Sequence, residues 1–142
     1  MERGQIVVDA SIVVKWFVEE EYSSEARSLR DAYADSLLDL AAPSILPYEV
    51  LNALKYSGAF SEDELKEVAD VLDDYQFALH QLSGELAKRT VELALRKGIT
   101  IYDASYVALA DILDTVLYTA DERLLKKVGM RKHVKHIAEF KI

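Results

Sequence analysis

A chain of 142 residues, half of them hydrophobic, has the length for one domain spanning residues 1–142 around one sizeable core. Its formal charge of −8 argues against a surface that grips nucleic acid everywhere. The absence of cysteine excludes disulfides, thiolate zinc sites and cysteine nucleophiles, and is compatible with a reducing cytoplasm.

No apolar run approaches the roughly 20 residues of a membrane span. The N-terminus has no basic segment leading into an apolar stretch, so a secretory signal is not expected either. Charge is unevenly spread. Residues 121–142 carry seven Lys/Arg against three acids, a local balance of +4 that leaves −12 for residues 1–120. Such a basic edge can meet a phosphate backbone or simply be a solvated helix face.

In chain order, Gln5–Val8 is short, apolar and β-branched at three of four positions, which predicts a buried strand. Ser11 to Val18 reads as helix, then an acidic turn at 19–21, then a second helix from Ser23 to about Ser36. Leu38–Ala42 is a strand closed by Pro43. Ser44 to Tyr56 is a helix stopped by Gly58. Ser61 and Glu64 form a capping box for the next helix, with its apolar stripe at Leu65, Val68, Ala69 and Leu72.

Phe77–Leu82 is a strand, Ser83–Lys97 a helix ending at Gly98, and Tyr102 to about Ile112 another helix. Thr115–Thr119 is a strand, Asp121–Val128 a helix and Val134–Ala138 a last strand. Strands separated by helices need crossovers, which predicts an α/β fold with a parallel sheet and helices on both faces. Ligand sites in such sheets lie at the carboxyl ends of the strands.

Asp9 directly follows the first strand, and Asp121 lies two residues beyond the strand that ends at Thr119. Asp103 heads the helix near residue 102. Each has a competing structural reading, since Asp is a favoured helix N-cap. Caps need not share one edge, however, whereas strand ends in a parallel sheet do. Glu49 lies inside a helix with Ile45 and Ala53 four residues either side, so its face reads as apolar. A glutamate there needs a basic partner or a shared cation.

Four converging carboxylates would raise one another's pKa values, a conflict that a hard divalent cation removes. An oxygen-only ligand set suits Mg²⁺ or Mn²⁺, and no Cys or clustered His is present to favour zinc. His80, His133 and His136 are scattered and read as surface or strand-edge residues. Metal held by Asp9, Glu49, Asp103 and Asp121 leads to phosphodiester hydrolysis. Two other parallel-sheet chemistries lack a residue. A phosphoacceptor regulator wants an Asp after its central strand, where Ser83-Gly84-Glu85 stands. A haloacid-type phosphatase wants a second Asp at the position of Ser11.

Four segments together resemble the acidic motifs of PIN domains. They are Ile6-Val7-Val8-Asp9-Ala10-Ser11, Pro47-Tyr48-Glu49-Val50-Leu51-Asn52-Ala53-Leu54, the run from Ile101-Tyr102-Asp103-Ala104 to Ala110, and Leu117-Tyr118-Thr119-Ala120-Asp121-Glu122-Arg123-Leu124. They fall in the family's order and span essentially the whole chain, and the likeness is greatest to VapC-type toxins of toxin–antitoxin pairs.

The resemblance implies an α/β/α sandwich and an endoribonuclease needing Mg²⁺ or Mn²⁺, with Asp9, Glu49, Asp103 and Asp121 as its acidic pocket. It also implies supporting roles for Ser11 and Thr119. Asn52, three residues from Glu49 on one helix, is expected to orient that carboxylate. It further implies RNA as substrate, a homodimer, and a VapB-type antitoxin whose tail enters the pocket. The alternative is a non-catalytic module on the same fold that binds RNA or protein.

Overall fold

The computed structural model describes residues 4–129 and 131–141. The chain runs β1 (Gly4–Val8), α1 (Ala10–Val14), α2 (Ser23–Ala34), β2 (Leu38–Pro43), α3 (Leu46–Ser57), α4 (Glu62–Tyr75) and β3 (Ala78–His80). It continues through α5 (Gly84–Lys97), α6 (Ile101–Ile112), β4 (Leu117–Thr119), α7 (Glu122–Val128) and β5 (Val134–His136), followed by a 3-10 turn at Ile137–Glu139. The five strands pair in parallel in the order β3-β2-β1-β4-β5. This is the parallel sheet flanked by helices expected from the alternation of elements.

The order contains one reversal. The chain steps outward from β1 through β2 to β3, then returns to lay β4 on the other side of β1. A crevice opens where successive connections leave in opposite directions, at the carboxyl ends of β1 and β4. Val7 pairs with Leu117 and Val8 with Tyr118, so the residues after Val8 and Tyr118 emerge side by side. Val7, Val8, Leu40, Ala41, Ala42 and Leu117 are buried in the middle of the sheet. The α6 residues Ala104 to Ala110 are all buried, so this helix is core on nearly every side rather than amphipathic.

Several boundaries differ from expectation for identifiable reasons. The first helix stops at Val14 instead of Val18. Lys15, Trp16 and Phe17 close tighter three-residue turns, while the Trp16 indole N–H donates to the Ala26 carbonyl at 2.8 Å. Ser44 does not start α3, because its N–H donates to the His80 carbonyl and the helix begins after Ile45. β3 covers only Ala78–His80: His80 sits opposite Pro43, which has no N–H with which to continue the ladder. β5 ends at His136, whose Nδ1 accepts from the Ala138 N–H and starts the 3-10 turn. The capping box is present, with Glu64 N–H donating to Ser61 Oγ at 3.2 Å and Ser61 N–H to Glu64 Oε1 at 2.9 Å.

None of the helices among the described residues is long and apolar enough to cross a membrane.

Candidate active site

Asp9 leaves β1 at the topological switch and is the most constrained acid of the four. Its side chain is buried, and both carboxylate oxygens accept hydroxyl protons, Oδ1 from Ser11 and Oδ2 from Thr119, each at 2.5 Å. A hydroxyl has one proton to give. Those two protons are aimed at Asp9 because each hydroxyl oxygen also accepts a backbone N–H, Ser11 from Ala120 and Thr119 from Asp121, both at 3.0 Å. The turn leading out of β4 therefore orients the carboxylate that leaves β1. Burial drives the Asp9 pKa up from 3.8 to about 6. The two hydroxyl bonds oppose that rise, and the negative charge of Asp121 adds to it. Asp9 precedes α1 and forms no regular side-chain cap, although the nearby Ile12 N–H also opposes the rise in its pKa.

Asp121 is a true N-cap: its Oδ1 accepts from the N–H groups of Arg123 and Leu124 at 3.0 and 3.1 Å. That leaves Oδ2 outside the cap. Asp103 is not the cap of α6. Thr100 is, with its hydroxyl accepting from the Asp103 N–H at 3.0 Å, and Asp103 sits in the first helical turn. Burial raises the Asp103 pKa first and Asp121 adds to the rise, while Thr100, Lys127 and Arg123 pull it down.

Glu49 is half-buried, and its face is less apolar than its neighbours imply, because Ala53 is exposed. Its partner is neither a lysine nor an arginine. The phenol of Tyr106, itself 1% exposed, donates to Glu49 Oε1 at 2.6 Å. Burial again leads the upward shift of the Glu49 pKa, with Tyr106 opposing it and Asp103 reinforcing it. Asn52 does not take the expected orienting role. It is exposed, makes no hydrogen bond with a described residue, and faces the groove between α3 and α4. Tyr106 does that work, one helical turn beyond Asp103 on α6. The sequence hint was its i, i+3 spacing from Asp103.

These couplings link the four acids in a chain along one edge, Glu49 to Asp103 to Asp121 to Asp9. None of them forms an ion pair with a described Lys, Arg or His. Asp103 and Asp121 share the wall of a cavity of about 560 Å³ with Thr100, Arg123 and Lys127. His80 and His136 end β3 and β5 at the same carboxyl edge, His136 opposite Thr119 with its Nε2 3.3 Å from Glu122 Oε1, while His133 precedes β5. His133 and His136 are more enclosed than expected, with side chains 19% and 15% exposed, and the His133 Nδ1–H donates to the Thr115 carbonyl at 2.7 Å.

The donor set suits a hard divalent ion, being carboxylate oxygen throughout, with Arg123 and Lys127 nearby but not ion-paired to it among the described residues. Among the described residues, no three carboxylate or imidazole groups are gathered closely enough to hold one ion as they stand. The acids thus outline a site without filling a coordination shell.

A parallel sheet with acids at its switch point fits a domain of the nuclease class, and the comparisons agree with that class. The family model for the PIN domain matches residues 6–129, and the chain belongs to the PIN domain family. It is 40% identical over 128 residues to Ribonuclease VapC3 of Pyrobaculum aerophilum, covering 87% of this chain and 94% of that protein. It is 34% identical over 134 residues to Ribonuclease VapC1 of Mycobacterium tuberculosis, covering 92% and 96%. Its fold is similar to a toxin–antitoxin complex from Klebsiella pneumoniae, with a TM-score of 0.71 at 20% identity over 95% of this chain and 99% of that one.

The Tyr106 contact gives a direct expectation. Tyr106→Phe keeps the ring in the core but leaves the half-buried Glu49 carboxylate without its donor. Manganese affinity, read by titration calorimetry, should fall about tenfold, and the onset of binding should move to higher pH because Glu49 loses a group that favours its ionised form. Unchanged affinity and pH onset would remove Tyr106 from the site.

Proposed function

We propose that this chain is a divalent-metal-dependent endoribonuclease, the toxin of a VapBC-type pair, acting through Asp9, Glu49, Asp103 and Asp121. One observation carries the reading: a buried Asp9 carboxylate, without an ion pair to a described cation, is oriented by two hydroxyls at the switch point beside Asp121, which in turn neighbours Asp103. The relatives named as ribonucleases support RNA as the substrate. The four acids would hold Mg²⁺ or Mn²⁺, and Ser11 and Thr119 fix the orientation of the Asp9 carboxylate.

The bound ion would activate water and neutralise charge on the phosphoryl group. The acids keep the edge strongly negative, so a phosphate approaches productively only with the ion in place. An antitoxin arginine entering this edge would pair with the carboxylates and displace the ion and substrate together. The expected homodimer is supported by an apolar pocket rimmed by exposed Tyr48, Leu82, Ile101 and Tyr102. A single domain working in the cytoplasm completes the reading.

The test is cleavage of RNA with Mg²⁺ or Mn²⁺ and its suppression by a chelator, comparing wild type with Asp9→Asn and Asp103→Asn. The wild type should cleave, and both variants should lose activity by at least a hundredfold. Equal activity in all three removes the proposed site. A second reading, a non-catalytic binding module, draws on the fact that no three acids among the described residues are gathered for an ion. It predicts no heat of manganese binding.

A further inference from the structure

The basic C-terminal segment is the sequence feature that the acids leave unexplained. Its cations have different fates. Arg131 donates to Asp111 at 2.9 Å in a largely enclosed cluster, and Lys132 stands 3.9 Å from Asp114. Arg123 and Lys127 instead lie four residues apart on α7, so they share one face, and both line the cavity that holds Asp103 and Asp121. Both are exposed. Neither forms an ion pair with a described carboxylate, although both attract Asp103 at longer range.

Lys127 is nonetheless positioned. Its ammonium donates to the Gly98 carbonyl at 3.1 Å, which leaves two of its three N–H groups unspent. Had the pair served only to neutralise Asp103 and Asp121, direct salt bridges would be the low-energy arrangement. Here the cations are held beside the acids but remain uncommitted to them. A chain of net charge −8 with an acidic crevice also repels the polyanion it would cut. The ion can offset that repulsion at the reacting phosphate only, so a neighbouring phosphate needs a cation of the protein.

We propose that Arg123 and Lys127 form a phosphate-binding wall that holds the RNA backbone at a phosphate next to the one the acids act on. This rests on the ribonuclease reading. The contacts are to backbone charge and carry no base selectivity.

The experiment compares wild type, Arg123→Gln, Lys127→Gln and the double variant on a short single-stranded RNA over a series of salt concentrations. KM should rise about fivefold for each single change and kcat stay within twofold. The slope of log(kcat/KM) against log salt should flatten by about 0.7 for each cation removed. Manganese affinity should not weaken, since the cations removed only compete for Asp103, and Arg123→Lys should retain the salt slope.

Unchanged KM and slope in the double variant overturn the proposal. So does a fall in kcat with altered manganese affinity at constant slope, which would mean that the pair only tunes the acids. Anisotropy of a labelled RNA in the same buffers separates this from the parent reading. Binding with a slope that the double variant flattens, without cleavage by wild type, keeps the wall and rejects the nuclease. If RNA is neither cleaved nor bound, both fail.

Discussion

Asp9→Asn is expected to make the metal-free protein more stable at pH 8 while abolishing RNA hydrolysis. The Asp9 carboxyl has a pKa of about 6 in the fold against 3.8 for the free group, so the fold favours its protonated form. The sign follows from proton counting. Between those two values the folded state binds more protons than the unfolded one, and stability falls as pH rises. The loss is absent below pH 3.8 and complete above about pH 6. It amounts to about 3 kcal/mol at 1.36 kcal/mol per pH unit.

Asparagine carries no charge to bury but cannot accept at both of its side-chain heavy atoms, so recovery of about 1–3 kcal/mol is expected. At pH 3.5, where Asp9 is protonated, the two proteins should melt within a few degrees of each other. Manganese should raise the melting temperature of the wild type at pH 8 and leave Asp9→Asn nearly unmoved, since binding to the native state alone is stabilising. Melting curves with chelator and with manganese read both effects. A variant less stable than wild type at pH 8 in chelator would show that Asp9 is a structural acid.

The second large effect lies away from the crevice. Asp111 Oδ2 accepts from Arg89 Nε at 3.2 Å, Arg89 Nη2 at 3.0 Å and Arg131 Nη2 at 2.9 Å, and the Asp111 side chain is 12% exposed. This cluster ties α5 to α6 and to the segment before β5. Removing the acid leaves two partly enclosed guanidinium groups facing each other.

Asp111→Ala should therefore cost about 3 kcal/mol, near the lower end for breaking a buried pair because Arg89 is partly solvated. For a chain of this length that is a fall of roughly 10 °C in melting temperature. Asp111→Asn, which keeps one acceptor, should lose less. By contrast, Lys66→Ala breaks only an exposed bridge to Glu62 and should change stability by no more than about 0.5 kcal/mol. If Asp111→Ala melts with the wild type, the cluster is only decoration on helix packing.

Much of this architecture is legible from local chemistry. β-Branched and apolar runs mark β1 and β2, and Gly58 and Gly98 take the left-handed conformation that ends α3 and α5. The capping box opens α4 where Ser61 and Glu64 place it. The position of Asp9 follows from the same logic, since the residue after a central parallel strand must emerge at the carboxyl edge.

The missed features are set by distant partners. Tyr106 reaches Glu49 from 57 residues away, and no helical periodicity encodes that meeting. Asn52 has suitable spacing, but it is exposed and forms no hydrogen bond with Glu49, whose Oε1 is taken by Tyr106. β3 is shortened by a proline on the neighbouring strand, and β5 by a histidine that finds a local acceptor role. The basic C-terminal run looks uniform in sequence, yet Arg131 is consumed in a structural cluster while Arg123 and Lys127 face the crevice.

The return of β4 to the side of β1 has a consequence in time as well as in space. During synthesis β1 can pair with β2 as soon as both exist, but the hydroxyl of Thr119 and the carboxylate of Asp121 arrive only when β4 is laid down. Until then Asp9 lacks one of its two orienting hydroxyls and the acid set is incomplete. The four-acid set is thus complete only once β4 pairs with β1. Under the proposed function, that order keeps the site unformed until β4 is in place.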